Sequence, residues 1–567
     1  MDASKCSVHS VFNGYRILEI PFFQRSYVWK KPQWERFLED MEFISKSGKP
    51  YFLGSIILKQ QETNTGSGER RTVIDGQQRL TTLSIFLKVL SLKLKDPNIV
   101  SMLRIAAQNN AVALQHNYHD LPSFNAIINL EEETDVAGSD SITQAYAFFC
   151  QRIKPERFHF QKLFANISFV VIDLSYQEDE QQIFDTINSL GVKLTTAELL
   201  KNYLFERNEM DIYKEFWFNI FEADKSSKGY WDAQFYTGRF ERSLVDLFFY
   251  SYLQIKIQDP ALSISSEDKA GLTKVEGLFY SYKSLLEKHG LNKMDFLKEV
   301  REYARLFRKS FNPLASQSEL GEGRQMDRIS LIIFALDTTT LISYVLYVLK
   351  NAEERDAEEI LKYIEAYIMR RMICHANTKN YNQLFSERLI FNKVLTKQRL
   401  KEFIEAQADL VNYMPSNREV KEGFASSKLV NNQSKGIIYL LESKVRNHGR
   451  QSTALRGFDY YQLEHLLPKK WLSNWNDGLS EAKKEKRDRQ LLTLGNLSLL
   501  SGRLNAAIKN SSWEIKKSGT KSGRGLEEYA AGLETISSFL KRKKWDERAI
   551  EERSAFLFDK AMEAWPA

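Results

Sequence analysis

The stretch VIDGQQRLTTL, residues 73–83, sits where one periodicity gives way to another. From Arg71 to Ile74 the chain reads as a strand, and from Gln78 to Lys95 apolar residues recur at helical spacing. Between the two stand Asp75, Gly76, Gln77, Gln78 and Arg79 in a row. A turn residue that caps the helix is one account of Asp75. A helix N-terminus also directs unpaired N–H groups and the positive end of its dipole outward, so the same row suits an anion.

A second junction of this kind lies upstream. IPFFQRSYVWKKPQWERFLEDM (20–41) leaves a strand, passes Gln24, Arg25, Tyr27 and Trp29, and enters a helix. Further strand signals at Arg16–Ile20, Gly54–Gln60 and Phe169–Leu174 alternate with helical stretches, and TNTGSGERR (63–71) reads as a hairpin turn. Residues 1–205 are therefore expected to be α+β. Residues 206–430 show helical spacing with few strand signals, and loops are expected at Gln258–Gly271 and Met414–Gly436. Residues 431–567 begin with a helix at Ile437–Val445, pass through a strand at Tyr460–Leu463 and end in two or three helices. The expected fold class is α+β, predominantly helical, in three domains: 1–205, 206–430 and 431–567. At 567 residues the chain is too long for one core.

Composition, 43% hydrophobic and 27% charged, belongs to a folded, soluble protein. Cys6, Cys150 and Cys374 lie far apart, which excludes a CxxC zinc pair and argues for a reducing cytoplasm, here a prokaryotic one. The first residues, MDASKCSVHSVF, lack the charged and apolar regions of an export signal. Ser330–Leu349 is apolar, but Asp337 and a threonine run interrupt it and Arg328 and Lys350 flank it, so a buried helix is expected there and no membrane partner. Of the net charge of +7, residues 431–567 carry +8, from 25 Lys plus Arg against 17 Asp plus Glu. The remaining residues balance at 55 against 56. A polyanion partner at the C-terminal end and a solvated basic surface both fit that excess.

The C-terminal region contains YYQLEHLLPKKW (460–471) and then LTLGNLSLLSGRLNAAIKNSSWEIKK (492–517). The order is an acidic residue and His on a strand, Asn in a loop, then Asn on a helix. This resembles the HNH-type, or ββα-metal, nuclease domain of GmrSD-type restriction enzymes. Such a centre needs a base for water, which a neutral imidazole supplies, and hard oxygen ligands for a divalent cation. The resemblance implies His465 as general base, Glu464 and Asn505 as ligands of Mg²⁺ or Mn²⁺, and Asn496 as the pin of the loop that orients His465. Lys509 and Lys517 become candidates for phosphate contact. The Lys- and Glu-rich insert Gly478–Gln490 departs from a minimal ββα unit; a solvated helix and a DNA-contacting element both account for it.

The N-terminal motifs resemble the ParB/sulfiredoxin-like domain of the same family, in which Gln-Arg-x-Tyr-x-Trp and Asp-Gly-Gln-Gln-Arg elements form an NTP site. The match covers residues 15–205, and YIMRRMICHANTKNYNQLF (367–385) resembles a paired-Arg segment of such proteins. By this resemblance Gln24, Arg25, Tyr27, Asp75, Gly76, Gln77, Gln78, Arg79 and Asn188 bind nucleotide, with Asp75, Gln78 and Arg79 in catalytic roles. Arg25 and Arg79 suit phosphate oxygens, Asp75 suits Mg²⁺ or a proton, and the glutamines suit an attacking water. Tyr27 and Trp29 either stack on a base or pack in the core; Asn188 and Gly191 either join the site or cap a helix. There is no Walker A motif, which excludes a P-loop NTPase.

The expected function is an NTP-dependent, modification-sensing DNA endonuclease or nickase of antiphage defence, acting on double-stranded DNA. GTP, UTP and ATP are not distinguished, and homo-oligomerisation is left open. The alternative is an N-terminal domain that senses nucleotide or DNA without hydrolysis and restrains the nuclease.

Overall fold

The computed structural model describes the chain apart from residues 1, 14, 62–68, 106–107, 176–194, 207, 238–239, 274–276, 321–324, 407–410, 427–431, 447–454, 474, 476–477, 521–522 and 530–532. It divides into two compact units, residues 1–219 and 220–567.

The first unit is organised by a six-stranded mixed sheet. Its strands are β1 (Asp2–Ser7), β2 (Ile17–Glu19), β3 (Tyr51–Gln60), β4 (Arg70–Asp75), β5 (Leu114–Gln115) and β6 (Ile167–Leu174), in the spatial order β1-β6-β3-β4-β2-β5. β3 is central: it pairs parallel with β6 and antiparallel with β4. Ile56, Ile57 and Leu58 are all buried, so both faces of β3 are covered, which explains its unbroken apolar run. Helix α1 (Lys31–Ser47) and helix α2 (Gln77–Leu94) pack on one face with α3 (Ser141–Arg152). α2 is buried on nearly every side from Gln78 to Ser91, and the hydroxyls of Thr81, Thr82 and Ser84 are satisfied by carbonyls of the same helix. Phe86 of α2 meets Phe37 and Phe149 edge-on, at ring centroids 5.7 and 5.9 Å apart. Full burial of one such ring stabilises the fold by roughly 1.5–3 kcal/mol.

The second unit is mainly helical, and several expectations change there. A hairpin pairs Gln234–Thr237 with Phe240–Ser243, where no strand was expected. The stretches expected as loops contain short helices at Ser266–Leu272 and Asn417–Ser426. The apolar stretch 330–349 is buried, but as two helices, Gln325–Phe334 and Leu341–Asn351, parted by Asp337 at φ 54°. Among the described residues no helix is long and apolar enough to cross a membrane.

Within this unit, the buried Arg328 ties α4 (Glu354–Ile373) and α5 (Asn432–Val445) to the helix Gln325–Phe334. Arg328 donates to Glu365 from Nη2 at 2.7 Å and from Nε at 2.8 Å, and to the Leu440 carbonyl at 2.8 Å. Trp565 Nε1 donates to the same carboxylate at 2.8 Å. Near the C-terminus β7 (Tyr461–His465) pairs antiparallel with β8 (Leu497–Ser501), and α6 (Gly502–Ile508), α7 (Trp513–Ser518) and α8 (Glu547–Ala564) follow.

Candidate functional site

The first site forms where β4 enters α2. Gly76 caps the helix at φ 98°, and a Cβ on it would stand 3.1 Å from Ile56 Cγ1. Only glycine meets both demands, the left-handed φ and the close approach of β3. The loop Gln24–Trp29 passes this helix N-terminus and is strapped from two sides. Gln78, buried, accepts the N–H groups of Val28 at 2.9 Å and Trp29 at 3.3 Å, and donates to the Ser26 carbonyl at 3.3 Å. On the other side Asn117 donates to the carbonyls of Gln24 and Arg25, at 3.3 and 3.0 Å, while Asp120 accepts the Tyr27 N–H at 2.6 Å.

Arg79 lies across β3. Its Nη2 donates to the Ser55 carbonyl at 2.6 Å and to Asp75 Oδ2 at 3.0 Å. Gln24 donates to the Val73 carbonyl at 2.8 Å, which leaves its own Oε1 buried and unpartnered. Arg79 Nε is likewise buried without a partner. Orphaned polar atoms of this kind are costly, and they collect where a ligand completes the set. Gln24, Arg25, Asp75, Gly76, Gln77, Gln78 and Arg79 are thus gathered at one junction, and the donors and the glycine cradle fit an anionic ligand such as a nucleotide phosphate.

Tyr27 belongs to the core. It is 4% exposed, and its hydroxyl bonds Thr82 at 2.6 Å and receives Trp34 Nε1 at 2.8 Å, so no ring face is open to a base. Burial also raises its pKa, which keeps the hydroxyl neutral. Trp29 is half-buried against the same core. Asn188, with Phe184, Gly191 and Leu194, lies outside the described residues.

The second site stands at the end of β7. In chain order β7 is followed by the helix Glu481–Gln490, by β8 and by α6, and His465 pairs with Leu497 across the ladder. Asn496, fully buried, spends its amide on the turn beyond His465. It accepts the Leu467 N–H at 2.8 Å, donates to the Leu467 and Leu491 carbonyls at 2.8 and 2.9 Å, and accepts Trp545 Nε1 at 3.1 Å. His465 Nε2 is buried with no partner. Burial, then the charges of Lys469 and Lys516, pull its pKa down to about 4, so the imidazole is neutral at neutral pH.

Glu464 has a partner the sequence did not reveal. Lys516 Nζ donates to Glu464 Oε1 at 2.5 Å and to the His465 carbonyl at 2.7 Å, and Lys516 is 0% exposed. Burial raises the Glu464 pKa and lowers that of Lys516, each opposed by the other's charge. Asn505, on α6, donates to Gln462 Oε1 at 3.1 Å. Lys509 is exposed at the end of α6, and Lys517 lies 3.5 Å from Glu514. The insert forms a helix, Glu481–Gln490, whose Arg487 is buried against Glu547 and Trp471.

A divalent cation at Glu464 and Asn505 does not fit this arrangement. The carboxylate is already neutralised by Lys516, and Asn505 brings no charge, so the pair offers no net negative charge to a hard cation. Among the described residues, no group of three or more His, Cys, Asp or Glu side chains gathers into a metal site. Lys516 escaped sequence reasoning because Lys516 and Lys517 are adjacent and alike; only the helix phase turns the first inward. Asn117 carried no motif of its own, although it is one residue beyond the buried His116 and three before Asp120.

Two family models match the chain. The GmrSD restriction endonuclease N-terminal domain matches residues 8–205, which include the first site. The GmrSD restriction endonuclease C-terminal domain matches residues 414–560, which include the second. Among curated proteins none matches the chain. With both domains present and more than half of the residues matched, the chain belongs to the GmrSD restriction endonuclease family.

Proposed function

We propose that the chain is an NTP-controlled DNA endonuclease or nickase of antiphage defence, cutting at the strand end that carries His465. As a restriction endonuclease it is a nuclease with DNA as its substrate. The observation that carries the cleavage reading is the buried, unpartnered, neutral Nε2 of His465. A neutral imidazole takes a proton from water, and an arriving phosphodiester would offset the positive field of Lys469 and Lys516 and so strengthen it as a base. Asn496 holds the turn behind it, and Lys509 and Lys517 are the candidates for phosphate contact. Cleavage of DNA by wild type and by His465→Ala tests this: loss in the variant supports the assignment, and an unchanged rate removes it. Running the assay on plain, hydroxymethylated, glucosylated and phosphorothioated DNA, with and without each NTP, tests modification sensing as well.

In the first unit, Arg79, Arg25 and the N-terminus of α2 would hold the phosphates, with Arg79 Nε as a donor awaiting a phosphate oxygen and Gln24 Oε1 as an acceptor awaiting a hydroxyl or N–H of the ligand. A bound NTP supplies a phosphoanhydride whose cleavage is one means of control. A second reading, binding without turnover, is favoured by a specific observation: both amide atoms of Gln78 are spent on the Ser26–Trp29 loop, and Asp75 is paired with Arg79. Gln78 is not free to orient water in this state, and Asp75 has one oxygen held by Arg79. Phosphate release by wild type and Asp75→Ala, with and without DNA, decides the matter, since a sensor releases none.

A further inference from the structure

We propose that Lys516 is the resident counter-ion of Glu464, and that a divalent cation reaches that carboxylate only by displacing it. The inference rests on the reading of residues 464–516 as the cleavage centre, but its measurement does not use cleavage.

Three observations carry it. First, the ammonium bridges a carboxylate oxygen at 2.5 Å and a backbone carbonyl at 2.7 Å. Those are hard oxygen donors, the ligand type that Mg²⁺ or Mn²⁺ would seek, so the position is already taken by a cation of the chain itself. Second, Lys516 is not a wandering surface lysine. It is fully buried on α7, whose Trp513 donates to the Arg542 carbonyl at 2.9 Å and lies against Trp545 with ring centroids 5.0 Å apart. Trp545 in turn donates to Asn496, so the lysine and the turn after His465 share one support. Third, Glu464 and His465 are neighbours on an extended strand, and neighbours on a strand project to opposite faces. A cation bound to Glu464 would therefore stand behind the strand, away from the imidazole, where Lys516 holds the His465 backbone. Lys516 is in these terms a positioning residue: it fixes the peptide that aims His465.

The test is Mn²⁺ binding to the full-length chain, without DNA or nucleotide, followed by calorimetry and by electron paramagnetic resonance. Wild type, Glu464→Gln, Lys516→Met and the double variant are compared. Glu464→Gln alone is expected to leave Mn²⁺ affinity within about twofold, because Glu464 is not available to it, whereas Lys516→Met exposes the carboxylate and tightens Mn²⁺ binding by about tenfold or more. The double variant is expected to lose that gain. Two results overturn the proposal: Mn²⁺ binding that falls about tenfold in Glu464→Gln, or a folded Lys516→Met chain that binds no more Mn²⁺ than wild type. Thermal melting checks each variant, and Lys516→Gln, which keeps a hydrogen-bond donor without the charge, takes the place of Lys516→Met if that chain does not fold. A wild-type chain that fails to cut DNA would undo the cleavage reading and leave the Mn²⁺ comparison intact.

Discussion

A Cβ on Gly54 would stand 3.0 Å from both Cδ and Nε of Arg79. Strand β3 and the arginine of the proposed nucleotide site touch because that Cβ is missing. Gly54 also holds φ 129°, a conformation open to glycine and strained for other residues. Gly54→Ala is expected to cost roughly 1–3 kcal/mol of stability and to push Arg79 off the Ser55 carbonyl, weakening nucleotide binding by about tenfold. Gly48→Ala is the control: Gly48 also has positive φ, 64°, but nothing within 4 Å. It should lose stability and keep nucleotide affinity, as read by calorimetric titration beside thermal melts.

Tyr27→Phe separates packing from ligand contact. The variant removes the hydroxyl that links Thr82 and Trp34, at an expected cost of about 1–3 kcal/mol in urea unfolding. Nucleotide affinity is expected to stay the same. A Tyr27→Phe chain of unchanged stability but weakened nucleotide binding would return the residue to the binding site.

With His465 in its proposed role as base, the pH profile of cleavage reports on it. Its folded pKa, about 4, lies below the ordinary value of 6.5, so the imidazole stays unprotonated as pH falls through that window. The acid limb of kcat/KM is therefore expected well below pH 6.5, since that limb reports the free enzyme. An acid limb at the ordinary histidine value would show that another base, or a differently placed His465, does the work.

Glu365 contributes to the acid stability of the second unit. Burial alone would raise its pKa, but the charge and hydrogen bonds of Arg328 bring it down to about 2 from 4.5. Between those values the unfolded chain binds the proton that the folded chain refuses, so stability is present above pH 4.5 and lost as pH falls towards 2. Glu365→Gln is expected to flatten that dependence. At neutral pH it leaves the buried Arg328 uncompensated, at a cost of roughly 3–5 kcal/mol in denaturant unfolding.

What the sequence revealed depended on periodicity. β3 and β4 were legible as short β-rich runs around Ile56–Leu58 and Val73–Ile74, and α2 because its apolar residues from Leu80 to Leu90 recur at helical spacing. The hairpin at Gln234–Thr237 was not, since its residues show no apolar alternation. Asp337 in the left-handed region divides a stretch whose hydropathy reads as continuous. At the sites, residue types pointed to a locality more than to a role. Gln78 reads as a ligand residue in one dimension, yet its amide is turned to the Ser26–Trp29 backbone. Glu464 reads as a metal ligand until Lys516, 52 positions away, is seen to touch it. Such partnerships are long-range and carry no spacing signal.

The straps of the first unit have a consequence in time. Among the described residues, those that bond the Gln24–Trp29 loop as straps, Gln78, Asn117 and Asp120, lie at or before Asp120, and the sheet beneath it is complete at Leu174. His465 is translated roughly 290 residues after that strand, which at ~5–20 residues per second is a delay of about 15–60 s. The ribosome thus finishes this junction well before His465 exists, so the order of synthesis would put the proposed restraint in place ahead of the proposed nuclease.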